Sequence, residues 1–248
     1  MTRVVVTIAL LFLATMLFAQ EIPPGIALPI LLTSTLDVKK ARVGQPISGE
    51  IQQDVPLPGG GQISRNSRVS GRVLDAVARA DGSSYLRISF NLVHAMHRDI
   101  PVTTSLRAIA SWSAVQGAQI PEIGPQSAQT PYNWTTVQVG DDVVYNGGGP
   151  VMHGATVVGE PKPPYGVLAE LTPVPGSACQ TGSHGRRLAL WVFSSTACGA
   201  YGFDELSIVQ AGTTDPIGNI VLESKKNVHL QFRSGLLLIT EAPAGSTR

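Results

Sequence analysis

The chain has 248 residues, 43% of them hydrophobic and 14% charged, with a formal net charge of +1. An average soluble protein carries roughly 25% charged residues. The length suits one large domain or two small ones, the apolar content excludes a solvated disordered chain, and the charge balance gives no electrostatic reason to expect nucleic acid as a partner.

The first twenty residues differ from the rest. Arg3 gives a positive start, and Val4 to Phe18 is an unbroken run of apolar and small residues with two threonines, Thr7 and Thr15. Ala19-Gln20 then leads into the polar, Pro-containing stretch from Glu21 to Gly25. A charged start, an apolar core of about 15 residues and a break form the pattern of a secretory signal peptide over residues 1–20. The core is short for an anchor, since crossing about 30 Å of hydrocarbon takes about 20 residues. Leu17 occupies the −3 position relative to Ala19, where a smaller residue is usual, and no Cys follows to accept a lipid. No later stretch is apolar and long enough to suggest a transmembrane helix. An exported chain, periplasmic, outer-membrane-associated or secreted, is the expectation.

Past the leader the pattern is period two, as in strands with one buried face. Ile26, Leu28, Ile30 and Leu32 alternate with Ala27, Pro29, Leu31 and Thr33; Ile47, Gly49, Ile51, Gln53 and Val55 alternate with Ser48, Glu50, Gln52 and Asp54. Val69, Gly71, Val73 and Val77 oppose Arg68, Ser70, Arg72 and Leu74, and Leu86, Ile88, Phe90 and Leu92 oppose Tyr85, Arg87, Ser89 and Asn91. Ile100, Val102, Thr104, Leu106 and Ala108 continue the series. Turn signals separate the runs at Gly59-Gly60-Gly61, Asp81-Gly82 and His97-Arg98-Asp99.

Trp112 to Pro150 shows no sustained period and reads as a long surface connection. Strand-like runs then return at 152–158, 166–171, 188–193, 206–210, 217–222, 228–232 and 236–240. Glu160 to Pro164 reads as a short extended linker, and the Lys226-Asn227 and Ser234-Gly235 steps suit the last hairpins. Only Gly199 to Leu206 suggests a short helix. The two cysteines, Cys179 and Cys198, read as one disulfide in an exported chain. The competing reading is a nucleophilic Cys beside His184.

Thus the expected fold is all-β: an antiparallel β-barrel or sandwich with a second, disulfide-stapled β region. The expected division is leader 1–20, barrel-like module 21–112, irregular connection 113–150, second β region 151–241, either separate or completing the first, and frayed tail 242–248.

The chemistry-bearing residues give no convincing catalytic set. His94 and His97 form an H-x-x-H, but on a strand residues three apart face opposite ways, so a polar turn is expected rather than a metal site. No G-x-S-x-G elbow marks a nucleophilic serine. Asp141-Asp142 and Asp204-Glu205 are adjacent carboxylates whose side chains diverge on an extended chain. The Gly59–Gly61 and Gly147–Gly149 runs do not lead into a helix with Lys and Ser/Thr, so they are not phosphate loops. Asn133-Trp134-Thr135 is a glycosylation sequon, meaningful only in a eukaryotic secretory pathway. Arg65, Arg68, Arg72, Arg79 and Arg87 cluster in one region, with Arg68 and Arg72 on one strand face. Arg68, Arg72 and Arg87 are the candidate patch for an anionic partner, against the plainer reading of a solvated sheet face. No cofactor and no metal are expected.

Residues 22–109 carry a further cadence. Ile22-Pro23-Pro24-Gly25-Ile26-Ala27-Leu28 leads through Gly44-Gln45-Pro46-Ile47-Ser48-Gly49 to Ile63-Ser64-Arg65-Asn66-Ser67-Arg68-Val69-Ser70-Gly71 and Leu86-Arg87-Ile88-Ser89-Phe90-Asn91-Leu92. This resembles the β-barrel domain of the TrbI-type conjugation and type IV secretion subunit, and uncharacterised exported proteins of soil bacteria with the same cadence. The resemblance implies a small barrel used for assembly. Asn66 stands where the family usually has Gly and Ser64 where it has Pro, and the inner-membrane helix before the family's barrel is missing, so only the barrel-like fold carries over. The leading functional expectation is an exported, non-enzymatic β protein with a structural or ligand-binding role, its partner an envelope protein or glycan. The alternatives are a glycan or peptide hydrolase using Asp141, Asp142 or His153, and an accessory subunit of a secretion apparatus.

Overall fold

The computed structural model describes residues 21–121, 135–145, 149–163, 166–177, 179 and 185–243. The expected leader, His184 and the Asn133-Trp134 part of the sequon lie outside them. The first half supplies β1 (Ala27–Leu32), β2 (Leu36–Asp37), β3 (Pro46–Ile51), β4 (Val55–Pro56) and β5 (Gln62–Ile63). The long strands β6 (Arg68–Ala78) and β7 (Ser84–Ala95) follow, then β8 (Arg98–Pro101), β9 (Thr103–Ala110) and one helix, α1 (Trp112–Gln119). A second group comprises β10 (Thr135–Val137), β11 (Val143–Tyr145), β12 (Val151–His153), β13 (Thr156–Lys162), β14 (Gly166–Ala169) and β15 (Leu188–Ala189). The last strands are β16 (Gly199–Tyr201), β17 (Leu206–Gln210), β18 (Ile220–Ser224), β19 (His229–Leu230) and β20 (Gly235–Glu241).

The all-β expectation holds. Ten strands form one curved sheet in the order β16-β9-β20-β1-β3-β6-β7-β18-β17, with β8 added beside β7. The terminal strands of this path, β16 and β17, are consecutive in the chain, and the sheet curls into a nearly closed barrel. Across the gap, Val102 N–H donates to Asn91 O at 3.1 Å, Leu106 N–H to Ala211 O at 2.8 Å and Thr104 Oγ1 to Phe90 O at 2.9 Å. Pairing is antiparallel except between β16 and β9. Residues 199–241 therefore complete the sheet begun by residues 27–110, while β10 to β15 form a separate six-stranded sheet.

Alternation explains the layering. Leu28, Ile30, Leu106, Leu236 and Leu238 enter the barrel core with Ile51, Leu86, Ile88 and Phe90. Their neighbours Ala27, Ala108 and Leu237 point the other way, into a second core with Val144, Val151, Leu190 and Phe193. Strands β1, β9 and β20 are thus covered on both faces, which is why 236–239 reads as a continuous apolar run. Each fully buried Leu or Ile side chain contributes about 1.5–3 kcal/mol relative to exposure.

The cysteines are bonded, Cα to Cα 6.0 Å, closing a loop of sequence separation 19. Such a loop contributes roughly 3 kcal/mol in the chain-entropy account. Beside it lies Arg107 of β9, 5% exposed. Its guanidinium donates to the carbonyls of Ala197 (3.0 Å), Thr172 (2.6 Å) and Ser195 (3.5 Å), tying the second region's loops to the barrel wall. Burial lowers its pKa, the cost of holding this cation out of water.

Several local expectations are corrected. The stretch read as irregular holds α1, β10 and β11; α1 was hidden because it buries only Val115 and Ala118 and carries no charged end residues, its start resting on Ser111, which accepts from Ala114 N–H at 3.2 Å. Gly199 to Leu206 is not helical but runs through β16 to the start of β17. Glu160 to Lys162 is strand, paired with β14, not a linker. The steps at Lys226-Asn227 and Ser234-Gly235 do not close hairpins, because β19 pairs with β2 and β20 with β1 and β9. The turn after β7 is Met96-His97, with Arg98 and Asp99 already in β8. Two bulges also break the alternation. Asn91 is an extra residue in β7, so Leu92 leaves the core face and Val93 and Ala95 take it; Leu74 is an extra residue in β6, so Val77 becomes 41% exposed.

Candidate functional site

The outer face of β3, β6 and β7 collects the polar groups that the barrel core rejects. Ser48, Ser70 and Leu92 lie opposite one another across the three strands, flanked by Glu50, Arg68 and His94 on one side. Thr33 Oγ1 is 2.6 Å from Ser48 Oγ. Ser70 Oγ is 2.7 Å from His94 Nε2, and His94 Nδ1 is 2.6 Å from Asp99 Oδ1. An ionised carboxylate only accepts, so Nδ1 carries the proton toward Asp99. With a neutral ring, Nε2 then accepts from the Ser70 hydroxyl. His94 is held on both sides, with its side chain 27% exposed.

Local sequence explains each placement. The Asn91 bulge turns His94 outward; uninterrupted alternation from Phe90 would bury it. The two-residue Met96-His97 turn, at φ 53° and 59°, pairs His94 with Asp99. On β6 the same bulge falls at the Ser70/Gly71 step, where a Cβ on Gly71 would lie 1.9 Å from Ser89 O, so only glycine fits beside the serine.

The arginine expectation divides. Arg68 and Arg72 are exposed on this face, either side of Ser70, and among the described residues neither has an ion-pair partner within 4.0 Å. Arg87 is different: its Nη2 lies 3.8 Å from Asp75 Oδ2, so it is already partnered and leaves the patch. Arg79 likewise meets Glu223 at 3.5 Å. Beyond His94 lies a concavity of about 410 Å³ bordered by Arg65, Asn66, Met96, His97, Arg98 and Asp99. Asn66, at φ 69°, takes the left-handed conformation that Asn and Gly tolerate best.

The other candidates separate as well. Asp141 is exposed at φ 85°, while Asp142 is fully buried, so the adjacent carboxylates diverge as expected. Asp142 accepts from Ser195 N–H at 2.6 Å on one oxygen and lies 2.7 Å from His153 Nδ1 on the other. The pair joins the turn before β11 to β12 and the loop at 195. His153 is 48% exposed, and among the described residues no hydroxyl or thiol lies within hydrogen-bond reach of its second ring nitrogen. Asp204 pairs with Lys226 at 3.5 Å, and Glu205 sits at a left-handed turn (φ 61°) with no ion-pair partner among the described residues. His229 lies 3.9 Å from Asp37, whose carboxyl is held below its ordinary pKa first by the Asn227 side-chain hydrogen bond and then by the Lys39 N–H and the His229 charge. A polar cleft of about 340 Å³ opens at the start of α1, between Trp112, Asp204, Lys226, Asn227 and His229. Among the described residues no three His, Cys, Asp or Glu side chains gather as a metal site, and no helix is long and apolar enough to cross a membrane.

Ser70 and Asp99 escaped the sequence reading. The signal that finds Asp99 is the hairpin register: a two-residue loop at Met96-His97 makes His94 and Asp99 partners. Lacking Gly, Asn or Asp in that loop, the chain hides it. Ser70 becomes visible only through the bulged pairing of β6 with β7. No family model, curated protein or solved structure matches the chain.

Proposed function

We propose that the chain is an exported β-barrel protein that binds an acidic glycan on the outer face of β3, β6 and β7. Export is supported by the leader pattern of residues 1–20 and by the Cys179–Cys198 bond, since disulfides persist in oxidising compartments. The observation that carries the binding reading is the pair Arg68 and Arg72. Two guanidinium groups without an ion-pair partner among the described residues share one face of the sheet, with the hydroxyls of Ser48 and Ser70 between them. Guanidinium matches the planar geometry of a carboxylate, and hydroxyls complete the recognition of a sugar ring. Nearby Arg65 and Arg98 extend the positive strip along the concavity. Strand β6, paired on both sides within the barrel sheet, presents these groups outward without loop-ordering entropy.

Calorimetric titration with oligogalacturonate tests this. The unmodified chain binds, and affinity falls as ionic strength rises toward 0.15 M, where the screening length is about 8 Å. The Arg68→Ala/Arg72→Ala double variant loses about tenfold or more, or about 1.4 kcal/mol, while Arg87→Ala, removing a guanidinium already paired with Asp75, changes little. Equal affinities for all three proteins would refute the assignment.

A further inference from the structure

We propose that Ser70 is the nucleophile of an esterase site, with His94 as its general base and Asp99 as the residue that positions His94. The geometry is that of a three-membered relay: hydroxyl to Nε2 at 2.7 Å, Nδ1 to carboxylate at 2.6 Å. Both separations lie within the reach required for nucleophile, base and orienting group. The donor order follows from the chemistry of the groups. Asp99 accepts from Nδ1, which leaves the Nε2 lone pair directed at the Ser70 hydroxyl, the tautomer that takes a proton from serine.

Three further observations point to the same place. The three members come from separate strands, β6, β7 and β8, and one bulge, Asn91 of β7 opposite the Ser70/Gly71 step of β6, brings them together on one face. Bulges that re-aim a side chain are over-represented beside active sites. Among the described residues seven non-glycine positions have positive φ, and three of them, Asn66, Met96 and His97, border the concavity next to His94. Each such residue costs of order 1 kcal/mol and tends to persist where function requires it. Finally, Arg68 and Arg72 sit at i−2 and i+2 from Ser70, roughly 7 Å along the strand on the same face. Their guanidinium groups, without an ion-pair partner among the described residues, are cations on the face where the oxyanion of a tetrahedral intermediate would form.

The reaction is hydrolysis of a carboxylic ester with water as co-reactant. Ser70 Oγ bonds to the acyl carbon as its proton passes to His94 Nε2. The ester C–O bond breaks, and the alcohol leaves with that proton. A water molecule then gives a proton to His94 and its oxygen to the acyl carbon. The carboxylic acid is released, and the proton returns to Ser70. The substrate class, an acyl ester carried on an acidic glycan, rests on the binding reading above; the identity of the nucleophile does not.

A fluorophosphonate probe on the intact, disulfide-bonded chain tests the nucleophile, with the adduct located by peptide mass spectrometry. One adduct, on Ser70, is expected. His94→Gln slows labelling about 100-fold or more, the usual range for losing a general base. Asp99→Asn lowers kcat for p-nitrophenyl acetate hydrolysis at nearly unchanged KM and unchanged thermal midpoint, which a merely structural residue would not do. No adduct on the unmodified chain, an adduct on another residue, or a labelling rate indifferent to His94→Gln overturns the proposal. Labelling without oligogalacturonate binding upholds the nucleophile and removes only the glycan; binding without labelling removes the esterase and spares the binding face.

Discussion

Asp142 offers the sharpest test of how the turn before β11 is held to β12 and to the loop at 195. Its carboxylate is fully buried, with one oxygen on Ser195 N–H and the other on His153 Nδ1. Asp142→Ala strands the Ser195 N–H, a loss of about 1–3 kcal/mol for an orphaned buried donor. It also removes the His153 contact and leaves a small void, for a total of about 3 kcal/mol from the orphaned donor and the void together. His153→Gln is milder, under about 1.5 kcal/mol, because that side chain is 48% exposed and glutamine retains a donor. Urea denaturation measures both. With an m-value of about 3 kcal/mol/M, Asp142→Ala lowers the midpoint by about 1 M or more and His153→Gln by less than about 0.5 M. A shift under about 0.3 M for Asp142→Ala would refute the structural role. A collapse of ester hydrolysis in a well-folded His153→Gln variant would move the chemistry from Ser70 to this pair.

Two further outcomes follow from the same reasoning. Gly71→Ala, which sets a Cβ 1.9 Å from Ser89 O, destabilises by about 3 kcal/mol or more and lowers the thermal midpoint by about 6 °C or more; an unchanged midpoint would contradict the bulged register. Glu241 is half-buried at the end of β20, where burial raises its pKa more than the hydrogen bond from Ser105 lowers it. A carboxyl with a raised folded pKa favours the native state only while protonated, so its contribution is present at acid pH and lost as pH rises through the folded value. Glu241→Gln is accordingly more stable than the parent chain at pH 7, and the difference vanishes near pH 3. An equal difference at both pH values would refute the sign.

The strands were legible where one face is buried and the other wet. Ile47, Gly49 and Ile51 alternate with half-exposed Ser48 and Glu50 as their spacing implies. Legibility failed at β7 beyond Phe90, because a bulge inserts one residue without any compositional mark. It failed again at α1, whose eight residues carry no charged end residues and bury only two side chains. The candidate site was half visible: Arg68 and Arg72 share a face as their even spacing demands, but Arg87 does too, and only the 3.8 Å approach of Asp75 sets it apart.

By itself the sequence determined that alternate side chains would be buried between paired extended segments, and that two cysteines some twenty residues apart could be joined. These follow from period, composition and chain length, all local properties. What the tertiary structure alone decided is which strands are neighbours and in what register. A one-residue slip reverses the face of every side chain beyond it. The position of Asn91 therefore settles whether His94 is buried among apolar residues or stands beside Ser70 and Asp99, and no local rule places that residue.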